Sequence, residues 1–370
     1  MRAVIIEDFN AKPEVTDVPV PRPREGEVLV KINTSSVNGL DEAIAEGSFK
    51  GAMEHRFPVV LGMDFAGTVS ADGADFHEGD AVFGVIVGSE LGPGAFAEYA
   101  AVDASHCVAR IPDGLERADA GALGLSGIAA LDSVDAVDPK PGEKVFISGA
   151  VTGDGAFAVQ MVAARGAEVI VTANPGRETD FVRGLGASRV VRHVVSPAGT
   201  AGAAGITGAT GADGAGTNGS PAGRSSSNGG PGGGPTTGAG GDASDEVADG
   251  GMTGFTDEPS EPEPASEAAS LGGIDAVLHF AGDAMALGAL LRPGGRFAST
   301  LGASPGRADV ERFAIRPRVS REALEMLAAE VVAGKLVVPV TRTYKLAEAA
   351  QALRDYRSGA LGKYAIEVSS

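Results

Sequence analysis

The sequence predicts an α/β protein of two parts: a small, irregular β-barrel followed by a doubly wound parallel sheet. Three observations predict it. Short apolar runs separated by Gly, Pro and Asp turns fill residues 1 to about 120. From 121 to about 318, strand-like and helix-like runs alternate, as they do in a parallel sheet flanked by helices. Near the head of this second part stands Val145 to Ala167, VFISGAVTGDGAFAVQMVAARGA, which reads as strand, glycine turn and helix.

In chain order, the barrel strands are read at Arg2 to Ile6, Glu27 to Ile32, Pro58 to Leu61, Ala66 to Ser70, Ala81 to Val87 and Phe96 to Val102. The parallel sheet opens with Val145 to Ser148, crosses over through a helix at Phe157 to Arg165, and continues at Val169 to Ala173. Further strands are expected at Arg189 to Val195, Ile274 to Phe280, Gly295 to Leu301 and Val310 to Ile315, with a helix at Ala284 to Leu291. Residues 319–370 read as a return to the first domain. They hold a helix at Ser320 to Ala333, with Leu324, Leu327 and Val331 at helical spacing, then a strand at Val337 to Tyr344, a helix at Leu346 to Arg357 and a last strand at Lys363 to Val368.

One stretch breaks the pattern. Ser196 to Leu271 is dominated by Gly, Ala, Ser, Thr and Pro, with Phe255 as its one aromatic and Arg224 as its one basic residue. Such a chain buries too little apolar surface to offset its ordering entropy, so it reads as a disordered acidic insertion on a surface loop. A loop of that length normally argues against the surrounding assignment, but the elements on both sides still fit one domain. Shortening Thr200 to Ser260 is expected to leave melting temperature and cofactor affinity nearly unchanged.

The totals bound the function. With 370 residues, 43% of them hydrophobic, the chain has enough material for two real cores. A formal net charge of -19 disfavours nucleic acid and anionic membrane as partners. The single cysteine, Cys107, rules out an internal disulfide and a multi-cysteine zinc site. The N-terminus lacks the apolar core of a signal peptide, and no apolar run reaches the roughly 20 residues of a membrane span. A cytoplasmic protein is expected.

The glycine turn carries the first chemistry. A helix that starts just after a strand aims unpaired N–H groups and the positive end of its dipole at an anion such as a pyrophosphate. In a G-x-G-x-x-G frame the glycine positions fall on Ala150, Thr152 and Gly155, so only the third glycine is kept. Gly153 and Gly149 lie beside the frame and supply flexibility, and the Thr152 hydroxyl is a candidate donor to a phosphate oxygen. Asp154 places negative charge near that phosphate. The competing reading is a glycine-rich strand-to-helix turn that holds no nucleotide.

Particular runs then carry a resemblance. FPVVLGMDFAGTV (57–69), FHEGDAVFG (76–84), GAFAEYAAV (94–102), PKPGEKVFISGA (139–150), LRPGGRF (291–297) and GKYAIEV (362–368) jointly resemble segments of the medium-chain dehydrogenase/reductase superfamily. The resemblance covers nearly everything outside 196–271. It implies a GroES-like β-barrel domain at 1–120, a Rossmann dinucleotide-binding domain at 121–318, and a C-terminal return. In the zinc-dependent alcohol dehydrogenases of that superfamily, a Cys and a His of the first domain bind catalytic zinc. The matching positions here are Asn38 and Met63, neither of them a useful zinc ligand. The chain therefore resembles the zinc-free branch of quinone oxidoreductases and enoyl or alkenal reductases, with SSVNGLD matching that branch's S-x-x-N-x-x-D. The five histidines show no ligand spacing.

That resemblance implies hydride transfer from a nicotinamide to a quinone, enone or enal, in a homodimer paired through Val310 to Ile315. Asn38 is the candidate polar group of the cleft, its amide a donor to the substrate carbonyl or the nicotinamide ribose. The alternative is a turn residue bonded to its own backbone. Asp41 reads as a structural acceptor. Hydroxyls found in relatives are absent at Ala43 and Ala129, leaving water as the proton source. Phe280, Ala281 and Gly282 follow a strand whose carboxyl end faces the cofactor, although Phe280 also fits core packing. After the second strand, Ala173 and Asn174 lead into Pro175, Gly176 and Arg177 with no acid at the turn. Asn174 and Arg177 suit a 2′-phosphate, which predicts NADPH over NADH. An enoyl or tailoring reductase and a non-catalytic nucleotide-binding scaffold remain as alternatives.

Overall fold

The computed structural model describes residues 1–88, 90–192 and 271–369. All of the expected insertion except Leu271 lies outside them, as does the end of the strand read at Arg189 to Val195. The first part carries ten strands: β1 (Arg2–Ile6), β2 (Glu14–Asp17), β3 (Glu27–Val37), β4 (Glu54–His55), β5 (Val59–Val60), β6 (Asp64–Val69), β7 (Ala81–Val85), β8 (Glu90–Leu91), β9 (Tyr99–Asp103) and β10 (Val108–Arg110). The GroES-like barrel is built on β3, which pairs antiparallel with β6 and β9. Along β6 every residue but one is buried, and Phe65 has no exposed surface. Strand β6 therefore faces core on both sides, whereas β9 alternates between buried and half-buried residues.

Helix α1 (Gly39–Ala45) lies within the first part, and α2 (Arg117–Val137) and α3 (Gly153–Ala164) lead into and through the nucleotide fold. Helix α2 is 21 residues long and passes for a membrane span by length and composition, but 78% of its apolar window is buried in the protein, as in a core helix. Its small residues explain its place. A Cβ on Gly124 would lie 2.6 Å from Val85 and 2.9 Å from Asp64, and one on Gly127 would lie 3.0 Å from Leu327. Glycine, alanine and serine let the helix press against the barrel on one side and a later helix on another.

The parallel sheet runs β11 (Lys144–Ser148), β12 (Glu168–Thr172), β13 (Arg189–Val191), β14 (Ile274–His279), β15 (Leu291–Ser299) and β16 (Glu311–Ala314). Its spatial order is β13-β12-β11-β14-β15-β16, every pairing parallel. This is the doubly wound Rossmann order, and its crevice opens where the order reverses, between β11 and β14. Helices α4 (Arg177–Gly184) and α5 (Ala284–Gly288) follow β12 and β14. The tail holds α6 (Arg321–Val332), β17 (Val340–Lys345), α7 (Ala349–Arg357) and β18 (Lys363–Glu367). Strand β18 pairs antiparallel with β3, so the chain closes on the barrel.

Candidate active site

The reversal point places the ends of β11 and β14 side by side, with Ser148 paired to His279. The Ser148 hydroxyl donates to the Ala281 carbonyl, and the Phe280 N–H reaches the Ser148 carbonyl at 3.1 Å. The Phe280 ring is core, while Ala281 is half-buried and Gly282 is exposed at the crevice with φ 90°. His279 is structural: its ring nitrogens meet Ser299 Oγ and the Gly282 carbonyl, both at 3.0 Å, and burial holds its pKa below the usual value.

Helix α3 starts four residues earlier than the sequence predicts. Thr152 is its N-cap: the hydroxyl donates to the Gly149 carbonyl at 2.9 Å and accepts from the Gly155 N–H at 3.2 Å. This corrects the reading of Thr152 as a phosphate donor, because its one proton points inward. Gly155 allows close approach of helix to strand, since a Cβ there would lie 2.1 Å from the Gly149 carbonyl oxygen. Gly153 makes room for protein, with Lys363 Cδ 2.5 Å and Ser126 Oγ 2.8 Å from where its Cβ would stand. Ala150 is fully buried beneath the turn, and Ala173 is buried at the end of β12. A positive-φ glycine, a close-packed third glycine and the N-terminus of a 12-residue helix at the reversal point fit a dinucleotide pyrophosphate.

Below this turn lies a buried polar cluster that sequence reasoning largely missed. Lys363, the first residue of β18, has no exposed surface. Its ammonium reaches Asn38 Oδ1 at 2.5 Å, the Val37 carbonyl at 3.2 Å, and Asp64 Oδ2 and Ser126 Oγ at 3.3 Å. Asp64, equally buried, also accepts from Ser36 Oγ at 2.6 Å, Asn38 Nδ2 at 3.0 Å and the Leu125 N–H at 2.7 Å. Asn38 is only 4% exposed, and its amide donates to Asp64 and, at 3.4 Å, to the Ser36 carbonyl. Its donors are therefore engaged within the protein, and Asn38 holds the cluster together. The available signal was a charge inside each apolar run, Asp64 in GMDFAG and Lys363 in GKYAIEV.

Two more carboxyls border the cluster. Asp41 accepts from the Asn38 N–H at 2.8 Å and the Gly62 N–H at 3.0 Å, the structural role expected of it. Burial pushes its pKa up to about 7, with the Asp64 charge adding to the rise and the two N–H donors opposing it. Burial also raises Asp154, half-buried in the first turn of α3, against a hydrogen bond with Ser126 and the charge of Lys363. Tyr356 on α7 lies near Asp154 and Asp41, and burial raises its phenol. The cofactor turn and the barrel are also joined directly: the Gly362 N–H meets the Val151 carbonyl at 2.7 Å.

At the far end of the crevice, Asn174 and Arg177 are both exposed. Asn174 donates its backbone N–H and its side-chain amide to Glu178, each at 2.9 Å. This corrects the expectation of no acid at the turn. The acid comes four residues later, folded back by the first turn of α4.

Residues 24–113 match the alcohol dehydrogenase GroES-like domain family, and residues 243–366 the zinc-binding dehydrogenase family. Human quinone oxidoreductase is 32% identical over 201 residues, covering 52% of this chain and 59% of that protein. A probable acrylyl-CoA reductase of Escherichia coli (strain K12) is 32% identical over 202 residues, covering 52% and 60%. The matched stretch thus spans less than two thirds of these curated relatives. A mycobacterial protein solved in complex with NADPH aligns with a TM-score of 0.70 at 20% identity, covering 100% of both chains. The fold is a nucleotide-binding fold of the alcohol dehydrogenase type. Over these matched stretches the chain is similar to the medium-chain dehydrogenase/reductase superfamily and, within it, to quinone oxidoreductases.

Proposed function

We propose that this protein is a zinc-independent, NADPH-dependent oxidoreductase that reduces a quinone or an activated alkene such as an enone or enal. One observation carries the reading. The two positions that hold zinc ligands in metal-dependent relatives are Asn38 and Met63, and Asn38 sits in a hydrogen-bonded cluster with Lys363, Asp64 and Ser126 directly against the dinucleotide turn. The similarity to a quinone oxidoreductase and to a probable acrylyl-CoA reductase supports the acceptor class, and the fold neighbour that binds NADPH supports the cofactor.

When bound, NADPH supplies the hydride, and the protein supplies alignment. The strand ends at Ser148 and Phe280 set the floor of the crevice. The α3 N-terminus would hold the pyrophosphate, with the Asp154 carboxyl, raised by burial, in the same first turn. Lys363 and Asp64 fix Asn38 and thereby the barrel wall beside the glycine turn, where the cofactor would be held. Water supplies the proton that completes reduction, because Ala43 and Ala129 carry no hydroxyl. A cytoplasmic homodimer paired through the edge strand β16 belongs to the same proposal; a monomeric mass in light scattering would remove that part of it.

The test is a thermal-shift titration with NADPH, followed by NADPH oxidation against a panel of quinones, enones and an acrylyl thioester. A ligand that binds only the native state raises its melting temperature. A shift together with turnover of at least one acceptor supports the reading. A shift with no turnover across the panel points instead to a nucleotide-binding scaffold, for which Asp154, Ala43 and Ala129 already speak.

A further inference from the structure

The clasp at the end of β12 bears on which dinucleotide the protein prefers. Gly176 adopts φ 87°, a conformation open to glycine, and so lets α4 begin at Arg177 immediately behind the turn. Glu178 in that first turn folds back, and its two carboxylate oxygens take the backbone N–H and the side-chain amide of Asn174, each at 2.9 Å. Thr179 reinforces the arrangement by donating its hydroxyl to the Asn174 carbonyl at 2.9 Å. The amide of Asn174 that would meet a 2′-phosphate is thus held by a carboxylate, next to the exposed cation Arg177.

Beyond the second strand of a Rossmann sheet lies the adenosine ribose. A carboxylate there accepts from the 2′- and 3′-hydroxyls of NADH and repels the 2′-phosphate of NADPH, whereas a guanidinium attracts that phosphate. This chain places one of each side by side. We infer that Glu178 is a specificity-determining residue: it opposes Arg177 at the 2′-position, lets NADH bind alongside NADPH, and restrains the NADPH preference that Arg177 creates. The inference rests on the dinucleotide reading above.

The experiment measures the affinity of the full chain for NADPH and NADH by titration calorimetry at fixed low ionic strength, in the wild type and in Glu178→Gln. The glutamine keeps an acceptor for Asn174 and removes the charge. NADPH is expected to tighten about tenfold and NADH to weaken by a few fold, the scale of one partly solvated charge contact. Glu311→Gln, the same change on the distant strand β16, controls for net charge and is expected to leave the ratio of the two affinities unchanged. Arg177→Ala is expected to move the ratio the opposite way from Glu178→Gln. If both cofactors bind and Glu178→Gln leaves their ratio unchanged, the role of Glu178 falls while the dinucleotide reading stands. If neither cofactor binds wild type or variant, the dinucleotide reading itself falls, and this inference with it.

Discussion

The parallel sheet and the barrel junction bury their residues by opposite means. In the sheet, Val145, Ile147, Val169, Val171, Ala276 and Leu278 are all fully buried and apolar, and hydrophobic burial alone accounts for their order. At the junction of β3, β6, β18 and α2, the buried polar side chains include Lys363, Asp64, Ser36, Asn38 and Ser126, with Asp41 of α1 beside them, and no buried side-chain polar atom among the described residues lacks a partner. Burying a charge is costly unless it is paired and hydrogen-bonded, and a buried ion pair is weak evidence for stability. The comparison teaches that the sheet supplies stability while the junction spends some of it to hold a fixed polar arrangement beside the crevice.

That contrast can be broken, and the largest effect belongs to the junction. Lys363→Met leaves Asp64 as an uncompensated buried charge and is expected to cost about 3–5 kcal/mol in urea unfolding. Adding Asp64→Asn should recover part of that loss. A single-variant loss below about 1 kcal/mol, the worth of a surface pair, would contradict the account of the cluster. Leu278→Ala in β14 creates a cavity in an apolar wall and should cost about 2–4 kcal/mol, with no recovery available from any charge partner.

The third effect lies in pH dependence. The folded-state pKa of Asp41 is raised to about 7 from an ordinary 3.8, so the native state holds this proton more tightly than the unfolded chain. Its contribution is fully present below about pH 4 and is lost as pH rises through about 7. Stability measured from pH 4 to pH 8 should therefore fall less steeply in Asp41→Asn than in the wild type, although the variant is weaker at pH 4 for want of a second N–H acceptor. Equal slopes would refute the assignment. The smallest effect is Thr152→Ala, which removes the α3 cap and should cost about 1 kcal/mol of stability. Because the hydroxyl points inward, NADPH affinity should change little, and a large loss would return Thr152 to the phosphate.

Much of the fold was legible because its signals are local. The strand at Val145 to Ser148, the glycine turn and the alternating runs after residue 270 each declare themselves within a dozen residues. Helix α2 was harder to see: 13 of its residues are buried, so it shows no one-sided stripe of apolar positions. Helix α1 was hidden behind Asn38-Gly39, which reads as a turn. The site divides in the same way. Asn38 and the glycine turn could be found from motifs, but the meeting of Lys363 with Asn38 spans 325 residues and leaves no periodic trace. Glu178 was in plain view, yet it reaches Asn174 only because α4 starts where Gly176 permits it.

The hydrogen bond from Gly362 to Val151 joins the last strand of the chain to the nucleotide turn. Proteins are made from the N-terminus onward, and domains fold as units while synthesis proceeds. Here the barrel lacks β18, and the turn lacks its partner, until residues 362–367 have left the ribosome. The crevice is thus completed only once residues 362–367 have emerged, and a nascent chain halted before Gly362 should be unable to capture a dinucleotide however well its parallel sheet has already folded.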